Sequence, residues 1–240
     1  TLQHNLARQQ ERVRIFESGL VFYTQDAVLQ QTSRLAAAVC GSVAPEQWAQ
    51  KARQVDFYDL KGNLEDMLAQ VADLASFTFI EAQNPVLHPG QSAQIHYHGQ
   101  AVGWIGMLHP ALQHKLDLPK VFLFEVDLQA IQQGQIPAFA PLSKYPSIRR
   151  DLALWVDESI SWQQVLQVAR RAAPVIVRDI RLFDVYTGEH TDTGVKSLAL
   201  RLILQDSSHT LTDQEVEQAS ALVVQALVGE LAAKLRDQGS

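Results

Sequence analysis

The fold turns on one stretch, "VIVRDIRLFDVYTG", residues 175–188. Ile176, Ile180 and Leu182 share one parity and so one face of a pleated strand. The next apolar residues, Phe183 and Val185, fall on the other parity. The alternation slips by one residue after Leu182. A β-bulge at that point is expected to turn Phe183 and Val185 toward the core and to swing Asp184 and Tyr186 onto the open face.

The flanking sequence supplies the rest of a domain. Leu152, Leu154 and Val156 alternate in a strand over residues 150–156. Ser161 and Gln164 form a capping box, and the helix it starts places Trp162, Val165, Leu166, Ala169 and Ala173 on one face. A Gly-containing loop over residues 187–195 leads to a strand in which Leu198, Leu200, Leu202 and Leu204 alternate. Thr212 and Glu215 form a second capping box, Leu211 and Val216 are spaced as its hydrophobic staple, and Gly229 suits the C′ position. Residues 231–236 complete the series as a short last strand. The order is βαββαβ, a ferredoxin-like domain of four antiparallel strands with two helices on one face.

Upstream, three prolines between Pro137 and Pro146 oppose helix and mark a boundary, with modules at 1–141 and 142–240. The first module reads as α+β. Residues 1–10 resemble the end of a helix. Residues 12–16 and 20–24 flank Ser18-Gly19 as a hairpin. Leu60, Leu64, Met67, Leu68 and Val71 trace an amphipathic helix, residues 93–98 and 101–107 surround Gly99 as a second hairpin, and residues 121–127 form a further strand. Antiparallel hairpins mixed with helices argue against a doubly wound nucleotide fold.

Composition excludes several classes. The 240 residues carry one cysteine, Cys40, which rules out an intrachain disulfide and fits a reducing cytosol. No apolar run approaches the ~18 residues of a membrane span, and the polar start is not a signal peptide. The chain begins with Thr1 rather than Met and reads as part of a longer protein. A net charge of −6 argues against a general nucleic-acid binder. Residues 141–205 nevertheless hold nine Lys/Arg against seven Asp/Glu, compatible with a confined RNA site.

Common chemical motifs are absent: no G-x-x-x-x-G-K-[ST], G-x-G-x-x-G or G-x-S-x-G occurs. His96 and His98 are expected on one strand face, with His88 and His109 near in sequence. A zinc site needs further ligands in tetrahedral array, so surface roles are expected and no metal is assigned. Glu65-Asp66 and the Glu125/Asp127 pair have no evident partner for acid–base chemistry. An RRM is also disfavoured, because the strand at the RNP1 position presents Ser197, Ala199 and Arg201 outward rather than aromatic residues. The residues alone leave open whether Asp184 caps a turn with Tyr186 packed on it, or whether both meet a ligand.

Four blocks of the C-terminal module, "SKYPSIRRDLALWV", "LFDVYTG", "KSLALRLILQD" and "TLTDQEVE", together resemble the ferredoxin-fold anticodon-binding domain of bacterial phenylalanine–tRNA ligase. Upstream, "RVRIFESGLVF", "VDFYDLKGNLEDML", "NPVLHPGQSAQI", "GWIGMLHPAL" and "FLFEVDL" resemble the catalytic-like module of the same beta subunit, related to class II synthetase cores. The blocks run in order along nearly the whole chain.

The resemblance implies a scaffold for the catalytic alpha subunit in an (αβ)₂ heterotetramer, cytoplasmic, with tRNA for phenylalanine as partner. Neither DNA nor membrane is implied. ATP and magnesium are implied for the holoenzyme, and no cofactor for this fragment. The family's OB-like, editing and DNA-binding-like domains have no counterpart here, so hydrolysis of mischarged tRNA is not expected. No catalytic residue is expected either. Where an active core carries an ATP-binding arginine, "FLFEVDL" offers Glu125 and Asp127, which repel a triphosphate.

In the family the open face receives the first anticodon base, a guanine. The resemblance implies Asp184, Tyr186, Ser197 and Arg236 as its contacts. Lys144, Arg149, Arg150 and Arg201 are candidates for phosphate contact or for pairing with Asp151, Asp157 and Glu158. Two other functions stay open: a protein-interaction scaffold without RNA contact, and a small-molecule-binding ferredoxin-like module.

Overall fold

A computed structural model describes residues 1–132, 142–188 and 193–236. The chain separates into two compact units, Thr1–Pro137 and Ala138–Ser240. Most of the proline-rich boundary segment lies outside the described residues.

In the first unit a short helix α1 (Leu2–Leu6) precedes strands β1 (Arg12–Gln25) and β2 (Val28–Gly41). Helix α2 (Phe57–Leu68) follows, then β3 (Phe77–Glu81), β4 (Leu87–Tyr97), β5 (Gln100–Leu108), α3 (Pro110–Lys115), β6 (Val121–Asp127) and α4 (Leu128–Ile131). The six strands form one antiparallel sheet in the order β1-β2-β6-β5-β4-β3. Helix α2 begins at an Asp56/Asp59 capping box and buries Leu60, Leu64 and Leu68. These pack with Phe122, Phe124 and Val126. The alternate residues Val121 and Leu123 join Val13, Cys40 and the α1 leucines on the opposite face, as strand alternation requires. Cys40 is fully buried, and burial raises its thiol pKa.

Several expectations for this unit need correction. Ser18-Gly19 is not a turn: both residues sit in the ladder, Ser18 opposite Leu35 and Gly19 opposite Arg34. The chain reverses instead at Asp26-Ala27, whose φ values of 49° and 61° suit the tight turn of a two-residue hairpin. Alanine is an uncommon occupant of that region, so the turn carries little sequence signal. The opening helix is shorter than residues 1–10, ending at Leu6, with Gln9 already at φ 63°. His98 occupies the turn after β4, at φ 48°, and does not share a strand face with His96. The His96 ring nitrogens contact the Gly99 carbonyl and the Gln94 side chain. Among the described residues no group of three or more His, Cys, Asp or Glu is placed to hold a metal.

The second unit runs β7 (Ile148–Asp157), α5 (Trp162–Ala172), β8 (Val177–Tyr186), β9 (Val195–Leu204), α6 (Asp213–Leu231) and β10 (Lys234–Leu235). Its sheet order is β10-β7-β9-β8, antiparallel throughout, the ferredoxin-like arrangement. Both capping boxes form as the sequence predicts. Val165 and Ala169 of α5 and Val216, Ala219, Val223 and Leu227 of α6 bury against Leu198, Leu200, Leu202 and Leu204. Leu211 joins the same core, so the staple's two members meet in one cluster. Burial of this kind stabilises by roughly 25 cal/mol per Å² of apolar surface.

Gly229 does not end α6. The helix continues to Leu231 and stops at Ala232, at φ 50°. The extra turn carries Leu231 onto the core, and Ala233 beyond it is 1% exposed. Tertiary burial overrides the local preference for glycine there. Among the described residues no helix is long and apolar enough to cross a membrane.

Candidate nucleic-acid interface

The β8–β9 ladder contains the slip inferred from alternation. Leu182 pairs with Leu200 and Asp184 with Ala199, so Phe183 is the extra residue. Leu200 is buried under the helices, and its strand neighbours Ala199 and Arg201 point to the other face. Asp184 therefore joins the open face opposite Ala199, and Tyr186 joins it opposite Ser197.

Phe183 corrects the sequence expectation. It does not turn inward but stays 51% exposed, with the Arg201 guanidinium 4.9 Å from its ring centroid. Phe183 and Asp184 together face one partner residue across the bulge, and their side chains share the open side. Val185 lies opposite the core residue Leu198 but remains half-exposed at the sheet's end.

Register orders the open face into rows. One row reads Lys234, Trp155, Ser197, Tyr186. The next reads Arg236, Ala153, Ala199, Asp184; the Arg236 N–H donates to the Ala153 carbonyl at 2.8 Å, which extends the β10 pairing by one residue. The third reads Asp151, Arg201, Arg181.

Two alanines thus form a low floor. Asp184 and Arg236 stand at its ends, and bulkier rows stand on either side. Trp155 lies under Arg236, ring centroid to guanidinium carbon 5.3 Å. At Gly188 the chain comes back against the Tyr186 ring, so closely that a Cβ there would fall 2.2 Å from Tyr186 Cζ and Oη. A larger residue at 188 would require the Tyr186 ring to shift.

Charge is distributed unevenly across this surface. Arg201 donates from Nε and Nη2 to the two Asp151 carboxylate oxygens at 2.7 Å each. That bidentate contact is first among the causes holding the Asp151 carboxyl below its ordinary range. Arg181 donates to Asp179 at 2.6 Å. Asp184, Arg149, Arg150, Lys144 and Arg236 make no ion pair with any described residue, and no side-chain hydrogen bond ties Asp184 to a turn among them. Among the described residues the short β10 pairs with β7 no further than Ala153, and a cleft of about 430 Å³ opens there, lined in part by Arg149, Arg150, Ala153 and Arg236.

The expected residues are distributed as follows. Asp184, Tyr186 and Arg236 surround the alanine floor. Ser197 sits in the Trp155–Tyr186 row but is 4% exposed, so its hydroxyl is reached only from the bottom of the surface. Arg149 shares the open face, whereas Arg150 alternates to the helix side and meets the cleft round the edge of β7. Lys144 lies in the segment before β7. Arg201 is paired with Asp151, one of the two options its sequence left open. Asp157 accepts from Ser159, and the Glu158 carbonyl accepts from Lys196.

Three further residues belong to this surface: Ala153, Trp155 and Phe183. Parity alone places Trp155 outward, because Leu152, Leu154 and Val156 face in.

The sequence matches a family model described as "Phenylalanyl tRNA synthetase beta chain CLM domain" over residues 1–128, more than half of the chain. The chain belongs to the phenylalanine–tRNA ligase beta-subunit family.

A second model, "Ferredoxin-fold anticodon binding domain", matches residues 143–236. Among beta subunits, that of Nitrosococcus oceani is 48% identical over 98% of this chain and 30% of its own length. Those of Pseudomonas savastanoi pv. phaseolicola and Coxiella burnetii are 47% and 42% identical, again over 98% of this chain and 30% of theirs. The chain thus spans about 30% of the beta subunits it matches. The open face lies within the residues that this second model matches.

The family's ATP and magnesium can be tested against the residues at "FLFEVDL". Glu125 lies 4.0 Å from Arg34, and the Asp127 carboxylate accepts from the Gln129 and Ala130 N–H groups as the α4 cap. Asp127 is committed to the α4 cap, whereas Glu125 is half-exposed at the edge of ion-pair distance from Arg34.

Proposed function

We propose that this beta-subunit segment reads the first anticodon base of the tRNA for phenylalanine and supports the catalytic alpha subunit, without itself performing ATP-dependent charging. The observation that carries the reading is the row Asp184–Ala199–Ala153–Arg236. A base lying over two alanines meets a carboxylate at one end and a guanidinium at the other. Guanine presents two N–H donors on its Watson–Crick edge, which suit the Asp184 carboxylate. Arg236, exposed over Trp155, suits the base's acceptor side or an adjoining phosphate. Tyr186 provides a ring against which the base stacks, and Ser197 supplies a hydroxyl from beneath. Arg149 and Arg150, in the edge cleft, suit phosphates; Lys144 is a further candidate.

The first unit is proposed to be a class II synthetase-like module serving as partner of the alpha subunit in an (αβ)₂ assembly in the cytoplasm. Its β1–β2 ribbon supports a protein-contact role. Beyond Arg34 that hairpin has no third strand among the described residues, and it exposes Leu20, Phe22, Val28 and Leu29. Apolar residues on an isolated two-stranded ribbon favour a covering partner. ATP and magnesium belong to the assembled enzyme's reaction, and no step of it is assigned to residues of this chain.

The test is a titration of the chain with tRNA for phenylalanine and with the same tRNA carrying another first anticodon base. Tighter binding of the guanine form is expected, weakening as salt rises. Equal affinity for both forms would refute base reading.

A further inference from the structure

The bulge that directs Asp184 outward also places an exposed aromatic ring beside it, and the base-reading scheme leaves that ring unused. Phe183 is 51% exposed on the open face, more than Tyr186 at 38%. Its ring is backed by Arg201, 4.9 Å away, and Arg201 is held by the two hydrogen bonds it donates to the Asp151 carboxylate. Asp151, Arg201 and Phe183 form a chain in which a carboxylate fixes a guanidinium and the guanidinium covers one side of a ring. A guanidinium stacked on an aromatic ring makes a rigid, cation-backed platform.

The position of that platform is informative. It lies on the Arg201 side of the alanine floor, whereas Tyr186 lies on the Ser197 side. Rows of one sheet face are about 6.8 Å apart, twice the rise per strand residue. The alanine row lies between the two rings, so they are more than one row apart, wider than the ~6.8 Å that two rings stacked on opposite faces of one base would span; Tyr186 and Phe183 therefore serve different nucleotides. Four-stranded sheets that bind single-stranded RNA use separate aromatic residues for successive bases in this way.

Resting on the reading that the open face receives one RNA base at Asp184, we infer that Phe183, backed by Arg201 and oriented by Asp151, stacks a second nucleotide adjacent to it. Recognition at this second place is by stacking and is indifferent to base identity, because each base has a π-face and the guanidinium behind the ring is committed through Nε and Nη2 to Asp151. Arg201, neutralised by Asp151, acts as a positioning residue rather than a phosphate contact.

The experiment uses the full chain and an anticodon stem–loop RNA of the tRNA for phenylalanine, with 2-aminopurine placed on either side of the first anticodon nucleotide. Binding is expected to change the fluorescence at one of the two positions. Phe183→Ala should abolish that change and weaken binding about tenfold, the scale of one lost stacked base, while the guanine preference at the first position survives. Phe183→Trp should keep the signal. Asp151→Asn should reduce it while leaving guanine preference intact. Should Phe183→Ala fail to melt like the wild type, Phe183→Leu, which keeps apolar bulk without a ring, must show the same loss of signal. A normally folded Phe183→Ala or Phe183→Leu with unchanged fluorescence and affinity overturns the inference. So does a Phe183→Ala protein that loses guanine preference but keeps the fluorescence change. Failure of base reading itself appears elsewhere, as Asp184→Ala with undiminished guanine preference.

Discussion

Asp184 and Arg236 face each other along one row of the second sheet with only Ala153 and Ala199 between them. Opposite charges at the ends of a floor without side-chain bulk leave a slot for a flat polar ligand. Filling the floor should close the slot without altering any charge. Ala199→Leu is expected to weaken tRNA binding at least about tenfold, the loss of one stacked base, with all first anticodon bases affected alike. Titration against a matched melting curve checks this; unchanged affinity in a folded variant would place the base elsewhere.

Asp184→Ala removes an exposed carboxylate that no described residue pairs. A charged hydrogen bond left unmade costs roughly 1–3 kcal/mol, and the loss should fall on guanine in particular. The check is a pair of titrations at fixed salt, cognate and anticodon-substituted. A variant that melts normally and keeps its full preference would show that Asp184 is not the reader.

Arg149→Ala should act differently. Arg149 lines the edge cleft, two rows along β7 from the alanine floor, and suits a phosphate. Affinity should fall for all tRNAs together, and the slope of log K against log salt should shrink by about 0.7, the single-strand value per phosphate. Unchanged slope would remove Arg149 from the phosphate path.

The start of α6 carries a pH signature. Glu215 accepts from the Thr212 backbone N–H, from His209 and from the Thr212 hydroxyl, each at 2.8 Å. These bonds, the backbone one first, hold its carboxyl at about 2 against an ordinary 4.5. A depressed carboxyl contributes stability that is complete above 4.5 and disappears as pH falls toward 2. His209 moves the opposite way: its pKa is raised above 6.5, first by the Glu215 hydrogen bond. Its contribution is complete below 6.5 and is lost as pH rises through the raised value. The pair's joint effect is therefore greatest between 4.5 and 6.5. Glu215→Gln, which can still accept in the capping box, should lower Tm most in that window and least near pH 2. Melting curves across this range decide it; a pH-independent difference would mean the charge contributes nothing.

Local chemistry determined much of the second unit. Capping residues at Ser161 and Thr212 set two helix starts, because a helix's first N–H groups need acceptors that only a few side chains provide. Alternation placed Leu198, Leu200, Leu202 and Leu204 inside, and the slip after Leu182 located the bulge and the outward turn of Asp184 and Tyr186. Those signals are readable because period and capping act over a few residues.

Tertiary structure decided what depends on residues distant in sequence. The reversal at Asp26-Ala27 follows from the pairing of fourteen residues on each side, which outweighs the cost of an alanine at positive φ. Helix α6 runs past Gly229 because Leu231 and Ala233 gain burial in the core. Phe183 stays outside because a bulge gives two residues to one side, a geometry that parity counting alone does not contain. Whether Arg201 meets Asp151 or a phosphate, and whether Arg236 reaches the row of Asp184, depends on strands separated by dozens of residues coming into register. Sequence identified the side chains that suit an RNA base; the sheet order set the two-alanine distance between them.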